Sequence, residues 1–326
     1  MSRKGMLLYI MSRPHSGSTI LDILIGNSST VEGVGQLVSD MGKLDNPCAC
    51  GATIRECLFW QAVRTEVESA GIGWDEAVRS SVDQAHIRRF WRTWRARPSD
   101  AQLLRLAEVT RVVTAAIAKV AGKPHVLDST KEPTRGLFLA RYMPEAQLIR
   151  LVRDPRSAVA SHYWRLKEKG FYHFLRRDWH TTRLGPVFLV VAATSWTIGN
   201  LLAEIAAWRA PGRVLLLRYE DLRDDPAAAL HAVATHAGID LSDSITRLAE
   251  DRPLGVQHII GGNDVRLEPG LRFDPKREST RRPLPRWVEL VTAACCWPLM
   301  HRYGYSMRRP AGRAASSLAR SKDVVA

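Results

Sequence analysis

"MLLYIMSRPHSGSTILDILIGN", Met6 to Asn27, carries the clearest structural signal in the chain. Met6 to Met11 is a continuous apolar run, the mark of a strand buried on both faces. It breaks into a Ser/Gly-rich turn, after which Ile20, Leu21, Leu24 and Ile25 fall on one helical face. A strand, a tight turn and a helix in that order turn successive backbone N–H groups toward one point at the helix N-terminus, which makes an anion site. The turn Ser16-Gly17-Ser18-Thr19 adds three hydroxyls to it, from Ser16, Ser18 and Thr19. A Ser/Thr helix cap with no ligand uses the same residue types. The Walker phosphate loop ends in Gly-Lys-Ser/Thr, and this turn has no lysine; it offers Arg13 and His15 instead. That counts against an ordinary nucleoside triphosphatase and leaves the anion open.

Three more apolar runs resemble the first: "HVLD" (His125–Asp128), "QLIRLV" (Gln147–Val152) and "RVLLL" (Arg213–Leu217). Helical patterns follow them. Asp154 and Pro155 start one helix as N-cap and first residue; Asp225 and Pro226 start another, which Gly238 closes. The repeated strand–turn–helix order predicts an α/β fold, a P-loop-like open parallel sheet flanked by helices, with ligands at the carboxyl ends of its strands. Residues 58–121 read as a helical insertion or lid after the first βα unit. Residues 1–309 then form a single domain, and the small, polar, basic tail 310–326 is expected to be disordered.

The 326 residues are 45% hydrophobic and 25% charged, an ordinary globular composition. Forty-seven Lys and Arg against 33 Asp and Glu leave a net charge of +14, which attracts nucleic acid, an acidic membrane surface or a phosphorylated small molecule. The N-terminal apolar run is far shorter than the roughly 20 residues that cross a bilayer, and no signal peptide is expected. Five cysteines are too few and too clustered for a disulfide scaffold, which predicts a reduced, cytoplasmic protein.

A second anion site is legible at the end of the third run. Arg153 stands at a strand end, and Ser161 follows it by eight residues, on the next helix. A guanidinium and a hydroxyl so placed can share a phosphate, with Arg156 joining them; Arg153 can equally pair with Asp154. Two anion sites at neighbouring strand ends imply a ligand with phosphates at both ends.

"RPHSGST" followed by "LIRLVRDPRSAVASHYW" resembles the sulfotransferases that use 3′-phosphoadenosine 5′-phosphosulfate (PAPS). "RYEDL" (Arg218–Leu222) is similar to that family's Tyr-Glu-Asp-Leu segment, and "CACG", "DSTK" and "GGNDVR" are similar to its bacterial branch, related to carbohydrate sulfotransferases. The resemblance implies that Arg13, His15, Ser16, Gly17, Ser18 and Thr19 bind the 5′-phosphosulfate. It implies that Arg153 and Ser161 bind the 3′-phosphate, and that Tyr219, Asn263 and Arg266 contact the nucleotide. It also implies in-line sulfuryl transfer to a hydroxyl or amine of a small-molecule, glycan or glycolipid acceptor, with no metal.

His15 stands where the family carries lysine or arginine. Near phosphosulfate its pKa should rise, so a histidine cation donating to the sulfonate or bridging oxygen is expected, with Arg13 or Lys131 supplying permanent charge. Lys131 is expected at the end of the second strand, on the same cleft. Ile20 replaces the tryptophan on which cytosolic members stack adenine, and Gln36 stands where related enzymes place an acid. Glu32 is then the nearest candidate base, with Asp40 beyond it. Residues 171–186, with the insertion, are expected to shape the acceptor pocket.

Cys48, Cys50 and Cys57 supply three thiols with no adjacent fourth ligand, and no zinc site is predicted. "RRFWRTWRARP" (Arg88–Pro98) reads as a packed helix with a solvated basic face that could meet an anionic acceptor or membrane lipid, and "CCWPLMHRYGY" as a helix docked on the core. Specific nucleic-acid binding is not expected, and peripheral contact with an anionic membrane is. The competing readings are a sugar or nucleotide kinase of the same α/β type and a basic nucleic-acid or membrane-surface binding protein.

Overall fold

The strand β1 (Met6–Ser12) is the axis of the molecule, and the computed structural model describes residues 5–160, 185–275 and 285–306 around it. Its side chains alternate between two cores, as a pleated strand requires. Leu7, Tyr9 and Met11 face one, while Leu8 and Ile10 face the other. Both faces are covered, which is why the run shows no polar alternation.

The sheet has five strands in the order β2-β3-β1-β4-β5. β2 is Val31–Gly33, β3 His125–Lys131, β4 Gln147–Val152 and β5 Val214–Arg218. Every pairing is parallel. The four anticipated strands are present, with β3 running on to Lys131. The edge strand β2 was not anticipated, because three residues are too few to show a period. β1 lies between β3, which closes one half of the sheet, and β4, which opens the other. Its carboxyl end is therefore the topological switch point where open α/β sheets hold ligands.

The helix α1 (Ser18–Gly26) packs Leu21, Leu24 and Ile25 beneath β1, in one core with Leu230 and Val233 of the helix Pro226–Ala237. That second helix begins as expected: Pro226 is in its first turn, and the Asp225 carboxylate accepts from the Ala228 N–H at 2.9 Å. Gly238 ends it with a φ of +64°.

The stretch 58–121 is helical, in the segments Leu58–Ser69, Trp74–Val82, Phe90–Arg95 and Ala101–Ala121. Its apolar residues, among them Trp60, Val63, Val109 and Val113, share a core with Leu7, Tyr9 and Met11. It is built onto the face of the sheet and is not a lid over the strand ends. In the Arg/Trp stretch Phe90 is buried, and the Arg209 guanidinium lies 4.0 Å from the Trp94 ring centre.

The helix Gly185–Trp208 includes an apolar stretch, Val190–Trp208, long enough by length and composition to cross a membrane. In the fold it is a packing element: Ala193, Trp196, Leu202, Ala203 and Ala206 are buried. The C-terminal helix Arg286–Arg302 docks on the core as expected, with Cys296, Leu299 and Met300 buried. Ser161, most of residues 171–186 and the tail 310–326 lie outside the described residues.

Candidate active site

The turn after β1 is held by backbone before any ligand enters. The Ser16 N–H donates to the Arg13 carbonyl at 3.2 Å, and the Leu21 N–H donates to the Gly17 carbonyl at 3.1 Å. His15 and Gly17 both take left-handed backbone angles, with φ of +66° and +89°. For Gly17 the conformation is obligatory: a Cβ there would lie 2.1 Å from Tyr219 Cδ2. Tyr219 in turn supports the second anion site, since the Arg153 guanidinium lies 4.5 Å from its ring centre. Arg153 is buried and donates to the His15 carbonyl, so the two strand-end sites are joined directly.

The strand β5 leads into the "RYEDL" segment, whose function here is to lock this corner. The buried Glu220 carboxylate accepts from the Asp154 N–H at 3.0 Å and from the Tyr305 hydroxyl at 2.7 Å. Burial pushes its carboxyl up, against those hydrogen bonds. Arg156 does not join Arg153; it forms a buried bidentate pair with Asp154, whose Oδ2 lies 2.6 Å from Nη2.

Across the cleft, β3 ends in Lys131, which is bulged out of register with β1 and carries a φ of +81°. Two non-glycine residues at positive φ in one cleft, His15 and Lys131, store local strain where chemistry is expected. With its carboxamide oxygen facing its donor neighbours, Gln36 accepts from Lys131 Nζ at 3.1 Å and from the Gly262 N–H. Burial pulls the Lys131 ammonium down to about 8, opposed by Glu132, Asp40 and Asp22. Beneath them the Asp22 carboxylate accepts from the Gly35 N–H at 3.1 Å, and burial raises it to about 7.

The third wall is a C-terminal arm. The Asn263 N–H donates to Thr19 Oγ1 at 3.1 Å, which leaves the Thr19 hydroxyl proton to donate elsewhere. The cleft so enclosed has a volume of about 350 Å³, within the range of small-molecule sites. His15, Gly17, Ser18, Thr19, Ile20, Gln36, Lys131, Arg153, Tyr219, Asn263, Val265 and Phe273 all line it.

Several expectations change. Glu32 is away from the cleft: in the middle of the short β2 it lies opposite Val126, near the amino end of β3, and pairs with Lys123 at 3.0 Å. A base for the acceptor proton has to be sought elsewhere. Arg13 points behind the loop, donating to Ser195 Oγ at 2.6 Å, with Glu132 as its electrostatic partner. Arg266 turns inward, to backbone carbonyl oxygens: it donates to the Pro47 carbonyl at 3.2 Å and the Asn263 carbonyl at 3.3 Å. It positions the arm and does not line the cleft.

Phe273, Val265 and the Lys131-holding role of Gln36 carried no signal in the sequence, because a lone aromatic past a turn has no period or spacing to mark it. The expected absence of a fourth ligand for Cys48, Cys50 and Cys57 is also corrected. His258 lies beside them, its Nδ1 3.3 Å from Cys57 Sγ.

A profile of the sulfotransferase family matches residues 8–243. Among solved structures, the sulfotransferase domain from the curacin biosynthetic pathway is similar at a TM-score of 0.51 and 16% identity, over 94% of this chain and 100% of that one. A sulfotransferase from Mycobacterium avium gives 0.49 at 14% identity, over 94% and 78%. Retinol dehydratase, solved in complex with retinol and PAP, gives 0.41 at 12% identity, over 95% and 85%. At these identities the likeness is one of fold. No curated protein sequence matches the chain.

Proposed function

The chain belongs to the sulfotransferase family, and from that membership we propose that it moves a sulfuryl group from PAPS to a hydroxyl or amine of a small-molecule, glycan or glycolipid acceptor. The observation that carries this reading is the joining of two anion sites across one cleft. The loop after β1 and Arg153 at the end of β4 line the same cavity, and Arg153 donates to the His15 carbonyl. A ligand with phosphates at both ends of a nucleoside fits that pairing; a nucleoside triphosphate, with its charge at one end, does not use it.

The residues present suit the donor. Gly17 and Gly262 bring bare backbone to the cleft at φ of +89°, and a Cβ at Gly262 would lie 2.8 Å from Thr19 Oγ1. The Ser16 hydroxyl is buried without a hydrogen-bond partner. In this reading the N–H groups and hydroxyls of Ser16 to Thr19 hold the 5′-phosphosulfate, and Arg153, with Ser161, holds the 3′-phosphate. Ile20, Val265 and Phe273 take the place of the missing tryptophan as an apolar seat for adenine.

The chemistry needs positive charge and donors where negative charge develops on the bridging oxygen. Lys131 supplies the charge from one wall and His15 donates from the other, while Gln36 fixes the lysine's reach. Glu132, next in sequence to Lys131 at the end of β3, is the carboxylate this reading puts forward for the acceptor proton in place of Glu32; it is not among the residues that line the cleft and reaches the acceptor only by turning from Arg13. Burial raises its carboxyl against the pull of Arg13 and Lys131, which moves it toward the range a general base needs. A cytoplasmic location belongs to the same proposal and rests on five cysteines too few and too clustered for a disulfide scaffold.

Thermal shift tests the reading most directly. 3′-Phosphoadenosine 5′-phosphate should raise the melting midpoint, and Arg153→Lys should remove most of that response, because a point charge cannot reproduce the guanidinium fork. Stabilisation by ATP–magnesium alone would overturn the proposal. Turnover of labelled PAPS across a panel of hydroxyl and amine acceptors then identifies the acceptor class.

A further inference from the structure

Outside the cleft, three thiols and one imidazole converge on a point. The donor atoms of Cys48, Cys50, Cys57 and His258 all lie within 4.8 Å of one another. Cys50 Sγ is 3.6 Å from Cys57 Sγ, Cys57 Sγ is 3.3 Å from His258 Nδ1, and Cys48 Sγ is 4.0 Å from the same nitrogen. A tetrahedral zinc ion with Zn–S of about 2.3 Å and Zn–N of about 2.05 Å sets S···S edges near ~3.8 Å and S···N edges near ~3.6 Å. The two S···N separations lie on either side of that edge, and the Cys50–Cys57 separation falls just short of the S···S edge. We propose that Cys48, Cys50, Cys57 and His258 bind a zinc ion as a closed, structural site.

The surroundings hold the four donors in place. Gly51, at a φ of +95°, turns the chain back after Cys50, and its N–H donates to the Cys48 carbonyl at 3.0 Å. The imidazole is held from both ends. Phe59 stacks on it at 4.4 Å with the rings 1° from parallel, and Trp60 Nε1 donates to the His258 carbonyl at 3.1 Å. Fixing a ring so that one chosen nitrogen faces the other donors is what outer groups do at metal centres.

The donor set selects the ion. Three thiolates and one imidazole are soft and borderline ligands that suit zinc and not magnesium or calcium, and four protein donors leave no open position for catalysis. Cys48 and Cys57 are buried, and Cys50 is exposed, which gives an entry path. A Cys50–Cys57 disulfide would need the sulfurs to close to about 2.05 Å, and it would leave Cys48 and His258 without a role.

The site ties two distant segments together. Cys48 pairs with Ile260, and the Ala49 N–H donates to the Ile259 carbonyl at 3.0 Å. Two residues beyond lies Gly262, and then Asn263, which closes the cleft against Thr19. The ion therefore anchors the arm that caps the nucleotide cavity, a consequence that rests on the function proposed above.

The test uses the full chain. Elemental analysis after dialysis against zinc and then buffer should give about one zinc per chain. Cobalt substitution should produce thiolate-to-cobalt charge transfer and intense tetrahedral d–d absorption. Cys50→Ser, at an exposed position, and His258→Gln should each lose most of the metal, while Cys295→Ser, a cysteine outside the cluster, should keep it. A metal-free wild-type chain, a metal-free Cys50–Cys57 disulfide found by alkylation and mass analysis, or full zinc retention in both ligand variants would overturn the site. If a ligand variant fails to fold, the wild-type zinc content and cobalt spectrum still decide. Chelation should also weaken binding of 3′-phosphoadenosine 5′-phosphate by about tenfold, the cost of ordering the freed arm. A zinc-bearing protein that ignores this nucleotide would leave the metal site standing and count against the sulfotransfer reading alone.

Discussion

Replacing Gly17 by alanine tests the geometry that joins the two anion sites. The substitution adds one methyl group, yet two costs follow. The first is conformational: a φ of +89° strains any residue with a Cβ by about 1–2 kcal/mol. The second is steric. The new Cβ would lie 2.1 Å from Tyr219 Cδ2 and 2.3 Å from Cε2, against a normal carbon contact of about 3.5–4.0 Å. The ring must retreat, but the Arg153 guanidinium lies 4.5 Å from its centre, so the displacement passes to the second anion site. Overpacking of this kind costs about 1–3 kcal/mol. The sum is roughly 2–5 kcal/mol, which for a chain of this size lowers the melting midpoint by roughly 3–7 °C. Affinity for 3′-phosphoadenosine 5′-phosphate should fall about 10- to 100-fold, the worth of a charged hydrogen bond made at the wrong distance. Calorimetric binding and thermal melts read both effects. A double-mutant cycle with Tyr219→Ala separates them, because removing the ring relieves the steric part and leaves the conformational part of about 1–2 kcal/mol. The reasoning is refuted if Gly17→Ala melts and binds as the wild type does. Strict additivity of the two substitutions would equally refute the steric half.

Three further outcomes follow from the cleft. His15→Asn keeps a residue tolerant of positive φ but removes the donor-cation, so kcat should drop by about 10²-fold while nucleotide affinity changes little; unchanged turnover would sink the role. Lys131 loses its charge as pH rises through about 8, so kcat/KM should fall on that basic limb, and Lys131→Arg should move the limb well above it. In stability the same shift has the opposite sense. The unfolded lysine still binds a proton between about 8 and 10.4, so the cost of burying the ammonium fades as pH rises through that window. Glu132→Gln should retain nucleotide binding and lose the acidic limb of kcat; a full-rate variant would return the base to another residue.

The framework and the charged ends of the strands were legible because they obey short-range rules. Met6–Met11 shows burial on both faces, and "DDPAAALHAVATHAG" spells out cap, proline start and glycine stop. The arm from Leu254 to Asp274 was not legible to the same degree, since apart from one 3-10 turn, Asp264–Leu267, it has no period to read. Its partners are chosen by tertiary closure: Arg266 reaches Pro47, and His258 reaches Cys57, 201 residues away. A zinc motif is recognised in sequence by regular spacing, and a fourth ligand at that distance has none. Glu32 failed for a related reason. Proximity in sequence to the expected acid position placed it near the cleft, but β2 runs beside the start of β3, so the carboxylate lies at the wrong end of the sheet.

These two kinds of segment divide the work of the site. The groups assigned to the transferred sulfuryl, His15 and Lys131, come from the ends of β1 and β3, and Arg153 from the end of β4. The core on both sides fixes those strands, so their positions do not depend on the ligand. Both His15 and Lys131 hold strained backbone angles, which only a rigid surrounding can maintain. On the proposed function, the nucleotide's seat is shared with the arm, whose Ile259, Ile260 and Val265 are buried in the cores and whose tip is tied by Asn263 to Thr19, Arg266 to Pro47 and the cysteine–histidine cluster. On the proposed function, charge stabilisation is built into the ends of the sheet strands, while the arm shapes the nucleotide's seat. Perturbing the cluster should change nucleotide affinity before it changes the chemical step, and perturbing the strand ends should do the reverse.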